Sequence, residues 1–172
     1  MRVYLDTSFI SRVSDLRLEP EDAAAYPRIA RFPGLALVTS TTIRDEISRT
    51  PDPKRRAMLQ FLYSIFEEVP SYSPSVSAMI GGSMVGETML GGGGSLNPLF
   101  ASLLTIFERD DALHIFNACQ AECDYFLTLD RSTILDRAAA RTTVLRGLCP
   151  TLKIVSPRQL IAELEALVQK RA

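Results

Sequence analysis

Four carboxylates stand at or near the ends of predicted secondary-structure elements in this 172-residue chain. Asp6 directly follows one hydrophobic run, and Asp130 lies two residues beyond Thr128, which closes another. Glu46 falls in the first turns of the helix after a third run, and Asp111 opens a further helical pattern. Carboxylates brought together in a partly desolvated cleft repel one another unless a cation neutralises them. Oxygen ligands of this kind favour Mg²⁺ or Mn²⁺, and such an ion supports the hydrolysis of phosphodiesters.

Each of these acids also has a purely structural interpretation. Asp6 is of a residue type that caps helices, and Glu46 fits a solvated charge on a helix surface. Asp111 suits the positive end of a helix dipole, and Asp130 suits a turn. The pattern that the four form together is what favours chemistry over these interpretations.

Strands and helices alternate along the chain and must position the acids. The predicted strands are residues 2–5, 36–39, 125–128 and 153–155. Thr7 and Ser8 follow the first strand, and Ser40 and Thr41 the second; these residue types begin helices. The alternation indicates an α/β fold with a mainly parallel sheet. Since ligands of such sheets bind at the carboxyl ends of the strands, we expect the four acids to meet there.

Three helical patterns are clear enough to predict a buried face. A helix that begins at Pro53 is predicted to pack against the core through Met58, Phe61, Leu62, Ile65 and Phe66. A helix over about 111–122 is predicted to bury Ala112, Ile115, Phe116 and Cys119, with Asp111, His114 and Ala118 on a neighbouring stripe. Ser156 and Pro157 are predicted to begin the last helix.

Composition limits the classes of protein that the chain can belong to. Its length and its 47% hydrophobic content predict one domain, residues 1–172, with one core. The net charge of -1 excludes a strong overall positive field, so a nucleic acid would have to be held by local basic patches. No run approaches 18 apolar residues and no export signal is recognised, so we expect a cytoplasmic protein without a membrane span.

The cysteines number three, an odd count that argues against a disulfide framework and for a reducing compartment. Cys119, Cys123 and Cys149 are predicted to be small buried hydrophobic residues. Together with His114 they could supply four zinc ligands. That alternative is disfavoured, because structural zinc ligands usually come in pairs that flank a turn.

Seven of the nine glycines lie between residues 81 and 94. We expect no helix or strand to persist through them, and we interpret residues 81–95 as a glycine-rich loop insertion in the single domain. A phosphate-binding P-loop is disfavoured, because the run does not end in Gly-Lys-Ser/Thr. A surface insertion is the preferred interpretation, and a lid that gates the substrate is the functional alternative.

Several stretches of the chain resemble the motifs of the PIN-domain family. Residues 3–8 are similar to its first motif, a hydrophobic strand that ends in Asp followed by Thr or Ser. Residues 38–40, which lead to Glu46 and Ile47, resemble the second motif. Residues 111–114, Ala118 and residues 124–130 resemble the third and fourth acidic motifs, and residues 154–157 resemble the closing strand and helix. The resemblance covers most of the chain, in an order that a chance set of acids would rarely reproduce.

The resemblance implies a PIN-like three-layer α/β/α fold with a mainly parallel central sheet. It implies a VapC-like ribonuclease that uses Mg²⁺ or Mn²⁺ to hydrolyse RNA. Such a ribonuclease could be the toxin of a toxin–antitoxin pair. An antitoxin protein and a second copy of the chain are the partners that it implies. The catalytic and metal-binding residues by this carry-over are Asp6, Glu46, Asp111 and Asp130. The residues that would support them or contact the substrate are Thr7, Ser8, Thr128 and Arg131.

Some assignments within the motifs stay open. Asp45 and Asp110 would replace Glu46 and Asp111 if the register were off by one, although the family pattern favours the latter pair. His114 could contact an acid or the substrate, but a packed, hydrogen-bonded helix histidine is the preferred interpretation. The cations that could bind phosphates are Arg12, Arg17, Arg131, Arg137 and those of residues 54–56.

Two other classes of function compete with a nuclease. A non-enzymatic PIN-like module that binds RNA or protein would be expected to lack some of the acids, and all four are present. Other α/β phosphate enzymes also carry an Asp after the first strand. A haloacid-dehalogenase-type phosphatase would need a second acid at Ser8, and a receiver domain would need an Asp that closes a mid-chain strand, whereas Asp124 precedes its strand.

Overall fold

The computed structural model describes residues 1–15, 17–76 and 95–170 of the chain. Almost all of the glycine-rich insertion predicted at residues 81–95 lies outside these ranges. The predicted absence of a helix or strand through it, and the alternative of a gating lid, therefore concern residues outside the described part of the chain.

Seven strands are described, and five of them form a parallel sheet at the centre of the molecule. They are β1 (Arg2–Leu5), β2 (Ala36–Ser40), β3 (Glu67–Val69), β4 (Ser75–Val76), β5 (Ser95–Leu96), β6 (Tyr125–Leu127) and β7 (Lys153–Val155). The parallel sheet has the order β3-β2-β1-β6-β7, and β4 and β5 form a separate antiparallel pair. The predicted α/β class and parallel sheet are confirmed.

The central strand β1 lies in the middle of the core. Val3, Tyr4 and Leu5 are fully buried, and the Tyr4 ring stacks on that of Phe126 in β6 with 5.5 Å between centroids. A continuous apolar run of this kind is typical of a parallel strand that is covered on both faces. The first predicted strand is therefore the element around which the core is built.

Helices flank the sheet and give it a three-layer α/β/α arrangement. The helices are α1 (Thr7–Ser14), α2 (Pro20–Ala30), α3 (Thr41–Ser48), α4 (Pro53–Tyr63), α5 (Pro98–Leu103), α6 (Arg109–Gln120), a π-helix (Arg131–Leu135), α7 (Asp136–Ala140), α8 (Thr142–Leu148) and α9 (Pro157–Gln169). Helix α2 packs against α9, α1 and α3 against α4, and α5 against α6. In the part of the chain that is described, none of these helices has the length and apolar content needed to cross a membrane.

Local sequence signals account for the start of several helices. Ser156 and Gln159 form a capping box at the start of α9, and Asp52 accepts hydrogen bonds from two backbone N–H groups at the start of α4. Both helices have Pro at their first position, where the missing N–H group carries no cost. The predicted starts at Pro53 and Pro157 are confirmed.

The predicted core face of α4 is wrong. Met58, Phe61 and Ile65 are 51%, 64% and 62% exposed, and the helix ends at Tyr63. Its buried residues are Leu59 and Tyr63, while two other predicted core residues, Leu62 and Phe66, are partly buried. The Tyr63 hydroxyl donates to the backbone carbonyl of Ser40 at 3.1 Å, which fixes the rotation of the helix. Apolar residues occur on more than one side of α4. Their spacing alone therefore does not show which stripe of the helix faces the core.

The prediction of three unpaired cysteines is also wrong. A disulfide bond joins Cys119, near the end of α6, to Cys149, the residue after α8, with a Cα–Cα distance of 6.1 Å. Cys123 is free and buried. The bond excludes the four-ligand zinc alternative, because two of its proposed ligands are bonded to each other. The two cysteines are 30 residues apart in sequence, so only the tertiary packing of α6 beside α8 shows that they meet.

Candidate active site

The four predicted acids line one cleft of about 520 Å³ at the carboxyl edge of the sheet. Asp6 directly follows β1, and its backbone N–H donates to the carbonyl of Leu127 at the end of β6. Glu46 lies in α3, which follows β2 directly, and Asp111 lies in the first turn of α6. In the sheet, β1 lies between β2 and β6. The chain adds β2 and β3 on one side of β1 and then β6 and β7 on the other side. The cleft is thus at the point where the strand order reverses, where open α/β sheets bind ligands.

Asp6 is held in one orientation by two hydroxyl groups. The Ser8 hydroxyl donates to Asp6 Oδ2 at 2.5 Å and the Thr128 hydroxyl donates to the same atom at 2.8 Å. The two hydroxyl oxygens are 3.1 Å apart, and the backbone N–H of Leu129 donates to Ser8. None of the described residues hydrogen-bonds to Asp6 Oδ1. The residue as a whole is 4% exposed, so Asp6 is a fixed, buried acid with one oxygen left for a ligand.

Glu46 is held through both of its oxygens. The Thr7 hydroxyl donates to Oε2 at 2.6 Å, and His114 Nε2 lies 2.7 Å from Oε1. Burial alone would raise the pKa of Glu46, but the hydrogen bond and charge of His114, together with the hydrogen bond of Thr7, lower it below the ordinary value. Glu46 is therefore an ionised carboxylate with a fixed direction.

His114 connects this acid to a buried chain of hydroxyl groups. Its Nδ1 lies 3.3 Å from the hydroxyl of Tyr4, which is 2.6 Å from the hydroxyl of Ser40. Burial would lower the pKa of His114, yet the hydrogen bond and charge of Glu46, with the charges of Asp6 and Asp111, raise it. His114 is 4% exposed. It is the packed, hydrogen-bonded histidine that was preferred, and it contacts an acid as well.

Asp111 and Asp130 are the other two acids that line the cleft. Asp130 precedes the π-helix and accepts a hydrogen bond from the backbone N–H of Thr133 at 2.9 Å. The pKa of Asp111 is raised, first by burial and then by the negative charges of Asp6 and Asp130, while a hydrogen bond with Thr133 opposes the shift. Asp111 is thus close enough to Asp6 and Asp130 for their negative charges to act on its carboxyl group.

The structure distinguishes the chosen acids from their neighbours in sequence. Asp45 and Asp110 also line the cleft, but both are exposed, whereas Glu46 and Asp111 are half-buried. Only Glu46 of the first pair bonds to the side chains of Thr7 and His114. The geometry therefore favours the register in which Glu46 and Asp111 are the functional acids.

The donors present suit a hard cation held partly through water. Within the described ranges, no three Asp, Glu, His or Cys side chains converge as a ready-made metal-binding group. Mg²⁺ usually keeps several waters and takes only one or two carboxylates directly, so it does not need such a group. A cation would also relieve the repulsion that raises the pKa of Asp111. The donor set and its charge therefore fit Mg²⁺ or Mn²⁺.

Two polar groups beside the acids were not predicted. Asn117 in α6 is fully buried, donates to the Thr42 hydroxyl at 3.1 Å and accepts from the backbone N–H of Tyr72 at 2.9 Å. Ser71 hydrogen-bonds to Thr42 and, with it, borders the cleft. The one available signal was an amide three residues after His114, and therefore on the same stripe of the helix.

The predicted supporting residues divide into two groups. Thr7, Ser8 and Thr128 direct their hydroxyl groups to Glu46 and Asp6, as described above. Arg131 is exposed at the start of the π-helix and lines a second, larger groove beside the cleft. The first group holds the acids in place, whereas Arg131 is exposed to the groove.

We predict that metal binding weakens as the pH falls through the raised pKa of Asp111. The carboxylate is charged above that pKa and protonated below it, so the loss begins above the ordinary Asp value of about 3.9 and reaches up to about tenfold per pH unit. Titration of Mn²⁺ at a series of pH values, on the wild-type protein and on Asp111→Asn, measures this. An identical pH dependence in both proteins would contradict the prediction.

Comparisons with protein-family models, with curated proteins and with solved structures found no significant match for this chain.

Proposed function

We propose that the protein is a metal-dependent endoribonuclease that hydrolyses RNA phosphodiesters, in the manner of PIN-domain nucleases. One observation carries the proposal: Asp6, Glu46, Asp111 and Asp130, which come from four separate parts of the chain, line one cleft at the carboxyl edge of a parallel sheet. This edge is where α/β enzymes bind their ligands. The resemblance of the surrounding motifs to the PIN-domain family supplies the reaction and the substrate.

The four acids would hold Mg²⁺ or Mn²⁺, and the bound ion would supply the Lewis acidity that phosphodiester hydrolysis requires. The chain's own contribution is orientation. Ser8 and Thr128 fix Asp6, Thr7 and His114 fix Glu46, and the backbone N–H of Thr133 fixes Asp130. Ligands held by such outer hydrogen bonds keep their position and orientation.

The biological setting is part of the same proposal. RNA as substrate is consistent with action in the cytoplasm, where reducing conditions would favour Cys119 and Cys149 as thiols over their disulfide. The resemblance suggests the toxin of a toxin–antitoxin pair, with a small antitoxin protein as partner and a homodimer as the active form. A gene for a small protein directly beside this one is the observation that would support the antitoxin.

Purified protein incubated with labelled structured and unstructured RNAs tests the proposal. We expect cleavage with Mg²⁺ or Mn²⁺, none with a chelator, and recovery when the metal is returned in excess. Cleavage that persists in chelator would reject the metal dependence. Absence of both cleavage and Mn²⁺ binding would reject the enzyme and favour a non-enzymatic RNA- or protein-binding module.

A further inference from the structure

A second groove, of about 1520 Å³, opens beside the acidic cleft. Asp130 lines both cavities, so the groove begins at one of the proposed metal-binding acids. The residue that follows, Arg131, lies in the groove. A polymer whose scissile phosphate lies in the cleft can therefore extend into the groove without leaving the surface.

Three of the cations that line this groove make no ion pair with any residue in the described ranges. They are Arg12 in α1, Arg131 in the π-helix and Arg146 in α8, and all three side chains are exposed. The other two cations of the groove are already paired, Lys153 with Glu163 at 2.5 Å and Arg158 with Glu21 at 2.8 Å. Arg137 and Arg55, which the sequence suggested as phosphate contacts, are also paired, with Glu108 and Asp15.

Each of the three arginines lies on a different element of the fold. Arg131 directly follows Asp130. Arg12 lies five positions after Thr7, about 7.5 Å further along α1 at the rise of an α-helix. Arg146 lies in α8, beyond the π-helix and α7. The three cations thus lie on three separate elements that line the groove, and none of them lines the acidic cleft.

The groove also contains acids, including Glu19, Asp22 and Asp136. Its overall field is therefore weak, and any polyanion must be held by individual contacts. Arginine suits such contacts because its planar guanidinium can donate two parallel hydrogen bonds to one phosphate.

We propose that this groove holds the RNA segment adjacent to the scissile phosphate, and that Arg12, Arg131 and Arg146 each bind a phosphate of that segment. The inference rests on the proposed nuclease function and names the path of its substrate. For a single strand, each neutralised phosphate contributes about 0.7 to the dependence of log affinity on log salt. Three contacts predict that removal of the arginines lowers this slope by about 2.

The test is the binding of a labelled, unstructured RNA in chelator, measured by fluorescence anisotropy at several salt concentrations. The variant is Arg12→Gln with Arg131→Gln and Arg146→Gln. The matched control is Arg28→Gln with Arg31→Gln and Lys170→Gln, which removes the same charge from residues that line neither cavity. Thermal melting of both triple variants verifies that they fold.

We expect the groove variant to bind RNA at least about 10-fold more weakly than the control and to lose about 2 of the salt slope. Its KM for RNA cleavage should rise accordingly. Equal affinities and equal slopes for the two variants would overturn the groove assignment. That result, combined with normal cleavage by the wild-type protein, would leave the nuclease proposal intact. A wild-type protein that neither binds nor cleaves RNA would overturn both.

Discussion

Replacement of Asp6 by Asn should lower metal-dependent RNA cleavage by about 10²- to 10³-fold, the usual cost of removing one group that stabilises charge at a reacting centre. Asn keeps the size of the side chain and an oxygen that can accept from Ser8 and Thr128, so the fold should be retained. It removes the negative charge that we assign to cation binding. Initial rates with saturating RNA and Mn²⁺ measure the effect, and circular dichroism verifies the fold.

A matched control separates this effect from a general loss of charge. Asp15→Asn also removes one negative charge, but Asp15 does not line the cleft and pairs with Arg55 at 2.9 Å. We expect this variant to cleave RNA at the wild-type rate. Comparable losses in the two variants, or full activity of a correctly folded Asp6→Asn protein, would remove Asp6 from the active site.

Loss of the Cys119–Cys149 disulfide should lower the free energy of unfolding by about 3 to 4 kcal/mol. The bond closes a loop of 30 residues, and the value follows from the conformational entropy that such a loop removes from the unfolded chain. Urea denaturation of the oxidised wild-type protein and of Cys149→Ser measures the difference. The enclosed segment contains Asp130 and the π-helix, so the bond also restrains one side of the cleft.

Reductant supplies the control for this second prediction. Wild-type protein in reductant should unfold at nearly the same urea concentration as Cys149→Ser, because both then lack the cross-link. If the oxidised protein, once unfolded, exposes three reactive thiols, or if reductant leaves its stability unchanged, the disulfide does not form in solution.

Chain order and hydrophobic runs were sufficient to predict the centre of the fold. The strands at residues 2–5 and 36–39 were predicted almost to their ends, because β1 and β2 are apolar runs directly followed by helix-starting residues. The edge strand β3 was not predicted. It has only three residues, of which Val69 alone is buried, so it carries no hydrophobic pattern that could be recognised. The other edge strand, β7, is equally short, but it was predicted because Ile154 and Val155 form an apolar pair directly before the helix-starting Ser156, whereas β3 begins with two exposed glutamates.

The candidate site also has a part that the sequence predicted and a part that it did not. That the acids would meet followed from a general property of parallel sheets, the convergence of strand ends on one edge. The hydrogen bonds from His114 to Glu46, 68 residues apart, and from Thr128 to Asp6, 122 residues apart, depend on tertiary packing. The residue types show that such side chains can form hydrogen bonds, but they do not show which two side chains meet. The same limit explains why the sequence did not predict the disulfide or the buried stripe of α4.

The location of bound Mn²⁺ in a crystal of the wild-type protein, identified by its anomalous scattering, tests the central claim most directly. We predict a manganese peak in the cleft, at a coordination distance of about 2.1 Å from Asp6 and from at least one of Glu46, Asp111 and Asp130. A manganese site elsewhere on the protein, or no site at a Mn²⁺ concentration that supports cleavage, would contradict the assignment of these acids as the metal centre of a nuclease.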